Sequence, residues 1–94
     1  MCLADRSKIE ADLWMVIDGA IIIGEAKRGG TLGSTAAARK RVAQRYPTLA
    51  QLLTADRVVF ASDAEWQTTS RNAVDSAFAR SSIVPEFIRV GDRN

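Results

Sequence analysis

The sequence predicts a small α/β domain, a mixed β-sheet with flanking helices in the order β-β-α-β-α-β. Three observations predict it. Asp18-Gly19 sits between two runs of β-formers, residues 9–17 and 20–27, and this pattern reads as an antiparallel hairpin. A helix-forming run from Ala36 to Arg45 separates that hairpin from a short apolar run, Arg57 to Ala61. A helix between two strands makes a crossover, which joins parallel neighbours. A second helical stripe then precedes a last strand-like segment, residues 83–90.

The composition sets the class. Ninety-four residues make one small domain, residues 1–94, of slender stability. A hydrophobic content of 47% with 26% charged residues is that of a globular chain, not a disordered one. The net charge of +2 does not imply a general polyelectrolyte binder. Cys2 has no partner for an internal disulfide, which suits a reducing, cytoplasmic location. The absence of histidine removes His-based triads and His-ligated zinc. No apolar stretch approaches the ~20 residues that cross a bilayer, so no membrane partner is expected. Residues 1–8, with Asp5, Arg6 and Lys8, are a lead-in and not a signal peptide.

The hairpin comes first. A type I′ turn needs φ > 0 at both central residues, so Asp18 reads as a turn residue. A two-residue turn sets Ile17 opposite Ala20, Asp12 opposite Glu25 and Glu10 opposite Lys27. Alternation then gives two faces. Ala11, Leu13, Met15 and Ile17 with Ala20, Ile22, Gly24 and Ala26 form a wholly apolar face, expected to meet the core. Glu10, Asp12, Trp14 and Val16 with Ile21, Ile23, Glu25 and Lys27 form a face that is apolar near the turn and charged at the open end.

The remaining elements follow in order. Residues 28–33 hold paired glycines and read as a loop, either a plain connector or a basic loop beside a nucleic-acid backbone. Ser34 or Thr35 caps the first helix, whose buried stripe is expected at Ala38, Val42 and Tyr46. Pro47 is expected to end or kink it. Thr48 then caps a short helix with Leu49, Leu52 and Leu53 inward. Residues 57–61 read as a buried parallel strand. Trp66 reads as a packing residue rather than a base-stacking platform. A helix over 69–79 turns Ala73, Val74, Ala77 and Phe78 inward. Pro85 confines the last strand to an edge or delays its start.

The opposed carboxylates carry the chemistry. Cβ atoms of directly opposed residues lie about 4.5–5.5 Å apart, and like charges there repel. A divalent cation such as Mg²⁺ or Mn²⁺ offsets that repulsion and prefers hard oxygen ligands. Lys27, two residues past Glu25 on the same face, is placed to hold a water or a phosphate oxygen. The bland alternative is an ordinary Glu-x-Lys strand, with Asp12 paired to a surface arginine.

Asp12 followed by Glu25-Ala26-Lys27, on adjacent strands before a helix, resembles the PD-(D/E)XK nuclease superfamily. Ala11 stands where the family name implies Pro. The resemblance implies a restriction endonuclease-like core and a metal-dependent nuclease that hydrolyses DNA phosphodiester bonds. It implies metal ligation by Asp12, Glu25 and the Ala26 backbone carbonyl, with Lys27 assisting the attacking water. Glu10 is either a further acidic ligand or an ion-pair partner of Lys27. Gln44 either points toward the metal or is a surface residue. Arg28, Arg39, Lys40, Arg41 and Arg45 are candidate phosphate contacts, or else a solvated basic face. The family core usually opens with a helix that the short stretch before Asp12 lacks. A shortened core is therefore expected, or one whose helix comes from a homodimer partner or a larger protein. The competing functions are a non-catalytic nucleic-acid-binding or assembly module, and a partner-binding protein whose apolar sheet meets another chain.

Overall fold

A computed structural model describes residues 13–90. Strands β1 (Leu13–Ile17) and β2 (Ala20–Lys27) form the hairpin, and a short 3₁₀ turn follows at Arg28–Gly30. Helix α1 (Ala36–Leu53) leads to β3 (Arg57–Ser62), and α2 (Thr68–Ala77) leads to β4 (Glu86–Arg89). The sheet order is β1-β2-β3-β4. The β1–β2 pair is antiparallel, and the β2–β3 and β3–β4 pairs are parallel. The described chain is thus a small α/β domain with a four-stranded mixed sheet and two helices, in the expected order.

The hairpin keeps the predicted register. Ile17 pairs with Ala20 and Leu13 with Gly24. Asp18 and Gly19 have φ of 52° and 82°, the left-handed pair that a type I′ turn requires.

The core lies on the face opposite to the one expected. It forms beneath Ile23, Val58 and Phe60, with Ile21 packed against it. Met15 and Ile17, on the wholly apolar face, are exposed, although Ile22 and Val59 there are buried. Two physical reasons explain the choice. Both crossovers step across the sheet in one direction, so a common hand puts both helices on one face. The charged-ended face also carries the bulk. Ile21, Ile23, Phe60 and Phe87 offer far more area than Ala20, Gly24, Ala26 and Ala61 opposite them, and burial energy follows apolar area. Phe60 is the hub of the core, stacking on Phe87 at 5.6 Å and meeting Tyr46 edge-on at 5.4 Å.

Helix α1 differs from expectation in its middle. Thr35 caps it, its hydroxyl accepting from the Ala38 N–H at 3.1 Å. The helix then runs unbroken through Pro47. A proline removes one donor, here the one that the Ala43 carbonyl would accept. Burial of Tyr46 before it and of Leu49 and Ala50 after it in the same core offsets that loss. An unbroken helix keeps one periodicity, so the buried stripe is Ala43, Tyr46, Leu49 and Ala50, with Ala38 and Val42 only half-buried. Leu52, expected inward, is 62% exposed. In α2, Val74 is fully buried, Phe78 caps the helix end in the core, and Ala73 and Ala77 pack at the margin. Trp66 is buried and donates its indole N–H to the Phe60 carbonyl at 3.0 Å. Strand β4 begins just after Pro85 and lies at the sheet edge.

Candidate functional site

The site grows from Gly24-Glu25-Ala26-Lys27 at the C-terminal end of β2. Gly24 is fixed by its neighbour. A Cβ there would lie 2.0 Å from the Val59 carbonyl oxygen, so only glycine lets β3 approach this closely. Glu25, opposite Phe60 in register, points to the helix side and is only 3% exposed. A carboxylate in such surroundings requires partners for its oxygens.

Both oxygens have them. The Tyr46 hydroxyl donates to Glu25 Oε1, and it also lies 3.1 Å from the Gly24 carbonyl oxygen. Lys27 Nζ lies 3.1 Å from Glu25 Oε2. Lys27 shares the strand face of Glu25 because the two are separated by one residue. Tyr46 reaches them from the buried stripe of α1. The Lys27 side chain is about one-third exposed, so the trio runs from a closed interior to an accessible ammonium group.

The mouth of the site is at the ends of the parallel strands β2 and β3. A shallow depression there is lined by Lys27, Arg28, Ser62 and Asp63, with Ala26, Ala61 and Val90. Its rim is held by backbone donors of the 3₁₀ turn. Ser62 Oγ accepts from the Gly30 N–H, and Asp63 Oδ1 accepts from the Gly29 N–H, each at 2.8 Å. The Gly29 bond, helped by the positive charge of Arg28, holds the Asp63 carboxyl below its ordinary pKa.

The predicted site residues are partly brought together. Glu25 and Lys27 meet, and Ala26 lies exposed between them. Asp12 and Glu10 lie outside the described residues. Arg28, Lys40 and Arg41 are exposed, and Arg45 is half-buried. Arg39 is half-buried and has an internal task, its Nη1 donating to the Gly33 carbonyl at 3.2 Å. Gln44 is on the exposed side of α1.

Three residues join the site that sequence reasoning did not place there. Tyr46 was legible as a buried residue, but its link to Glu25 spans 21 positions and leaves no local signal. Ser62 and Asp63 follow the apolar run of β3 and carry no motif of their own. A polar pair directly after a buried parallel strand is a usable signal, because ligand crevices form at the carboxyl ends of such strands.

A divalent ion such as Mg²⁺ or Mn²⁺ needs several hard oxygen donors around one point. Among the described residues no three Asp, Glu, Cys or His side chains gather at one point. Glu25 is a hard oxygen donor, which suits Mg²⁺ or Mn²⁺, but one carboxylate is a partial set. A full set would need further oxygen donors; of the expected ones, the Ala26 carbonyl is on β2 and Asp12 lies outside the described residues. Among the described residues no helix is long and apolar enough to cross a membrane. Compared with known proteins, the chain matches no family model, no curated protein and no solved structure.

Proposed function

We propose that this chain is a metal-dependent nuclease domain of PD-(D/E)XK type, acting on DNA phosphodiester bonds. The observation that carries the reading is the buried Glu25 at a strand end, with the Lys27 ammonium group 3.1 Å from its Oε2. The hairpin register supports it. Leu13 pairs with Gly24, as the two-residue turn at Asp18-Gly19 predicts. Asp12, Glu25 and the Ala26 carbonyl would hold Mg²⁺ or Mn²⁺. What such an ion supplies when bound is a lowered pKa for water and neutralisation of charge on phosphate oxygens.

The chain's own residues do the rest. Tyr46 fixes the carboxylate by its hydrogen bond. Lys27 sits on a flexible stem at the accessible side and orients a water or stabilises charge on the phosphate. Arg28, Lys40, Arg41 and Arg45 add phosphate contacts whose strength falls with salt.

A second reading rests on a specific observation. Both Glu25 oxygens are already engaged by Tyr46 and Lys27, so the trio is electrostatically complete without an ion. This favours a non-catalytic nucleic-acid-binding module on the same scaffold. One experiment separates the two. Plasmid and single-stranded DNA are incubated with the native chain and Mg²⁺ or Mn²⁺, beside Asp12→Asn, Glu25→Gln and Lys27→Ala. The nuclease reading expects metal-dependent cutting that drops by roughly a hundredfold or more in each variant. A folded native chain that binds DNA but does not cut it supports the second reading.

A further inference from the structure

The two edges of the sheet are built differently. Strand β4 is short, starts after a proline, and carries Glu86 and Arg89. Glu86 also takes a two-pronged pair from Arg57, at 2.6 and 2.8 Å. Short length, charge and proline are devices that discourage a further strand from adding. Strand β1, one residue longer, has neither the charge nor the proline. It reads Leu-Trp-Met-Val-Ile, and Trp14, Met15, Val16 and Ile17 are each 42–59% exposed.

The outer backbone groups of β1 can be assigned. Ile21 stands opposite Val16. Its N–H donates to Asp56 Oδ2 at 2.8 Å, and its carbonyl accepts from the Asp56 N–H at 2.7 Å. Both groups of Ile21 thus face β3. In an antiparallel pair, opposed residues exchange both hydrogen bonds or neither. Val16 therefore turns its N–H and C=O away from β2, and by alternation so does Trp14. These groups have no partner among the described residues.

We propose that β1 pairs antiparallel with β1 of a second copy of this chain, about a two-fold axis through Met15. The occupant follows from self-complementarity. This register sets Trp14 opposite Val16 of the other copy, and these are the residues whose backbone groups face outward. Leu13 meets Ile17 and Met15 meets Met15, so every partner falls within the uncharged five-residue strand. Registers two residues to either side bring charged positions 12 or 18 against it. An aromatic against a β-branched residue is a favourable cross-strand pair, formed twice by symmetry. The two sheets become one sheet of eight strands. Pairing through one short strand covers less than the ~1,200 Å² of standard stable interfaces, so association is weak, at roughly tens to hundreds of micromolar.

The test is specific for the register. In a Cys2→Ser background of the full chain, Met15→Cys puts two thiols on the axis. Residues facing each other between the hydrogen-bonded pairs have Cα atoms about 4.5 Å apart, within disulfide range. Leu13→Cys puts its thiols four residues out of step, about 13 Å apart. Under mild oxidation Met15→Cys is expected to form covalent dimer at least tenfold faster than Leu13→Cys. Sedimentation of the native chain should show mass rising with concentration above 10.2 kDa. Trp14→Lys with Val16→Lys places like charges opposite each other and should weaken the dimer at least tenfold. Trp14→Glu with Val16→Lys places opposite charges there and should weaken it less. A native chain that stays monomeric to about 1 mM overturns the proposal. So does equal cross-linking at positions 13 and 15, or an equal effect of the two charged pairs. Circular dichroism confirms that each variant is folded before it is scored.

Discussion

Replacing Tyr46 by Phe removes one hydroxyl from the polar cluster around the buried Glu25. The ring is fully buried and meets Phe60 edge-on, and both features survive the change. What is lost is the donor to Glu25 Oε1, which also lies beside the Gly24 carbonyl. A hydrogen bond to a charged group contributes about 1.5–3 kcal/mol, and a buried acceptor left unmade sets the upper part of that range. A domain of this length loses roughly 4–8 °C in Tm for each kcal/mol, so Tyr46→Phe should melt about 6–24 °C lower. Total stability for a domain of this kind is about 5–15 kcal/mol, and the variant should still fold. Urea unfolding supplies the free energy, and Glu25→Gln supplies the control. If Tyr46 acts through the carboxylate, Tyr46→Phe costs less in the Glu25→Gln background, with a coupling of about 1 kcal/mol or more. A loss below about 0.5 kcal/mol, or the same loss in both backgrounds, would refute the hydrogen-bond argument and leave Tyr46 as a packing residue.

Three further predictions concern the frame of the site. Gly24→Ala forces a Cβ to within 2.0 Å of the Val59 carbonyl, so β2 and β3 must part. The loss should reach about 2–3 kcal/mol by urea unfolding, and a neutral result would sink the close-approach argument. Pro47→Ala returns a donor to the Ala43 carbonyl inside a helix that already continues unbroken through this position. It should stabilise by about 1–3 kcal/mol, and a destabilised variant would mean that the proline ring is needed for packing. Asp63 has a folded pKa below its ordinary value, held there first by the Gly29 N–H. The sign follows from linkage: its contribution is present above the unfolded pKa and is lost as pH falls through the folded one. The Gly29 amide resonance should titrate with a midpoint below the ordinary aspartate value and stop titrating in Asp63→Asn. A midpoint at or above that value would remove the anchoring role.

What the sequence made legible was local or periodic. Asp18-Gly19 announced its turn, and the turn set the register down to Leu13 and Gly24. The helical run after Thr35 and the apolar strand at 57–61 announced a crossover. The choice of face was not legible by counting apolar residues, because alanines and glycines count as apolar while offering little area. It needed side-chain volume and the common hand of the two crossovers. Pro47 misled for a related reason. Its local penalty is small against the burial of Tyr46, Leu49 and Ala50, which only the assembled core reveals. The same holds for Ser70, fully buried on α2, whose hydroxyl accepts from the Leu32 N–H at 3.0 Å. Partners 38 positions apart leave no mark in a short window.

The trio at the site raises a question that stability alone answers poorly. Glu25 occupies a buried strand position beside the aromatic hub, where an apolar side chain would fit with no desolvation cost. Replacing a buried ionic cluster by apolar residues of similar volume is often neutral or stabilising, whereas removing one member is costly. The two statements predict opposite results for single and combined changes. Glu25→Leu alone strands Lys27 and leaves the Tyr46 hydroxyl without its carboxylate, so it should destabilise. Glu25→Leu combined with Tyr46→Phe and Lys27→Met removes every polar group of the trio and should match or exceed the native chain in urea. If the combined variant is as stable as the native chain yet loses DNA cleavage or binding, folding does not require the carboxylate and lysine, and their retention at this strand end is explained by the chemistry proposed for them. If the combined variant unfolds as readily as the worst single one, the trio is a structural clasp, and the case for a nuclease loses the observation on which it stands.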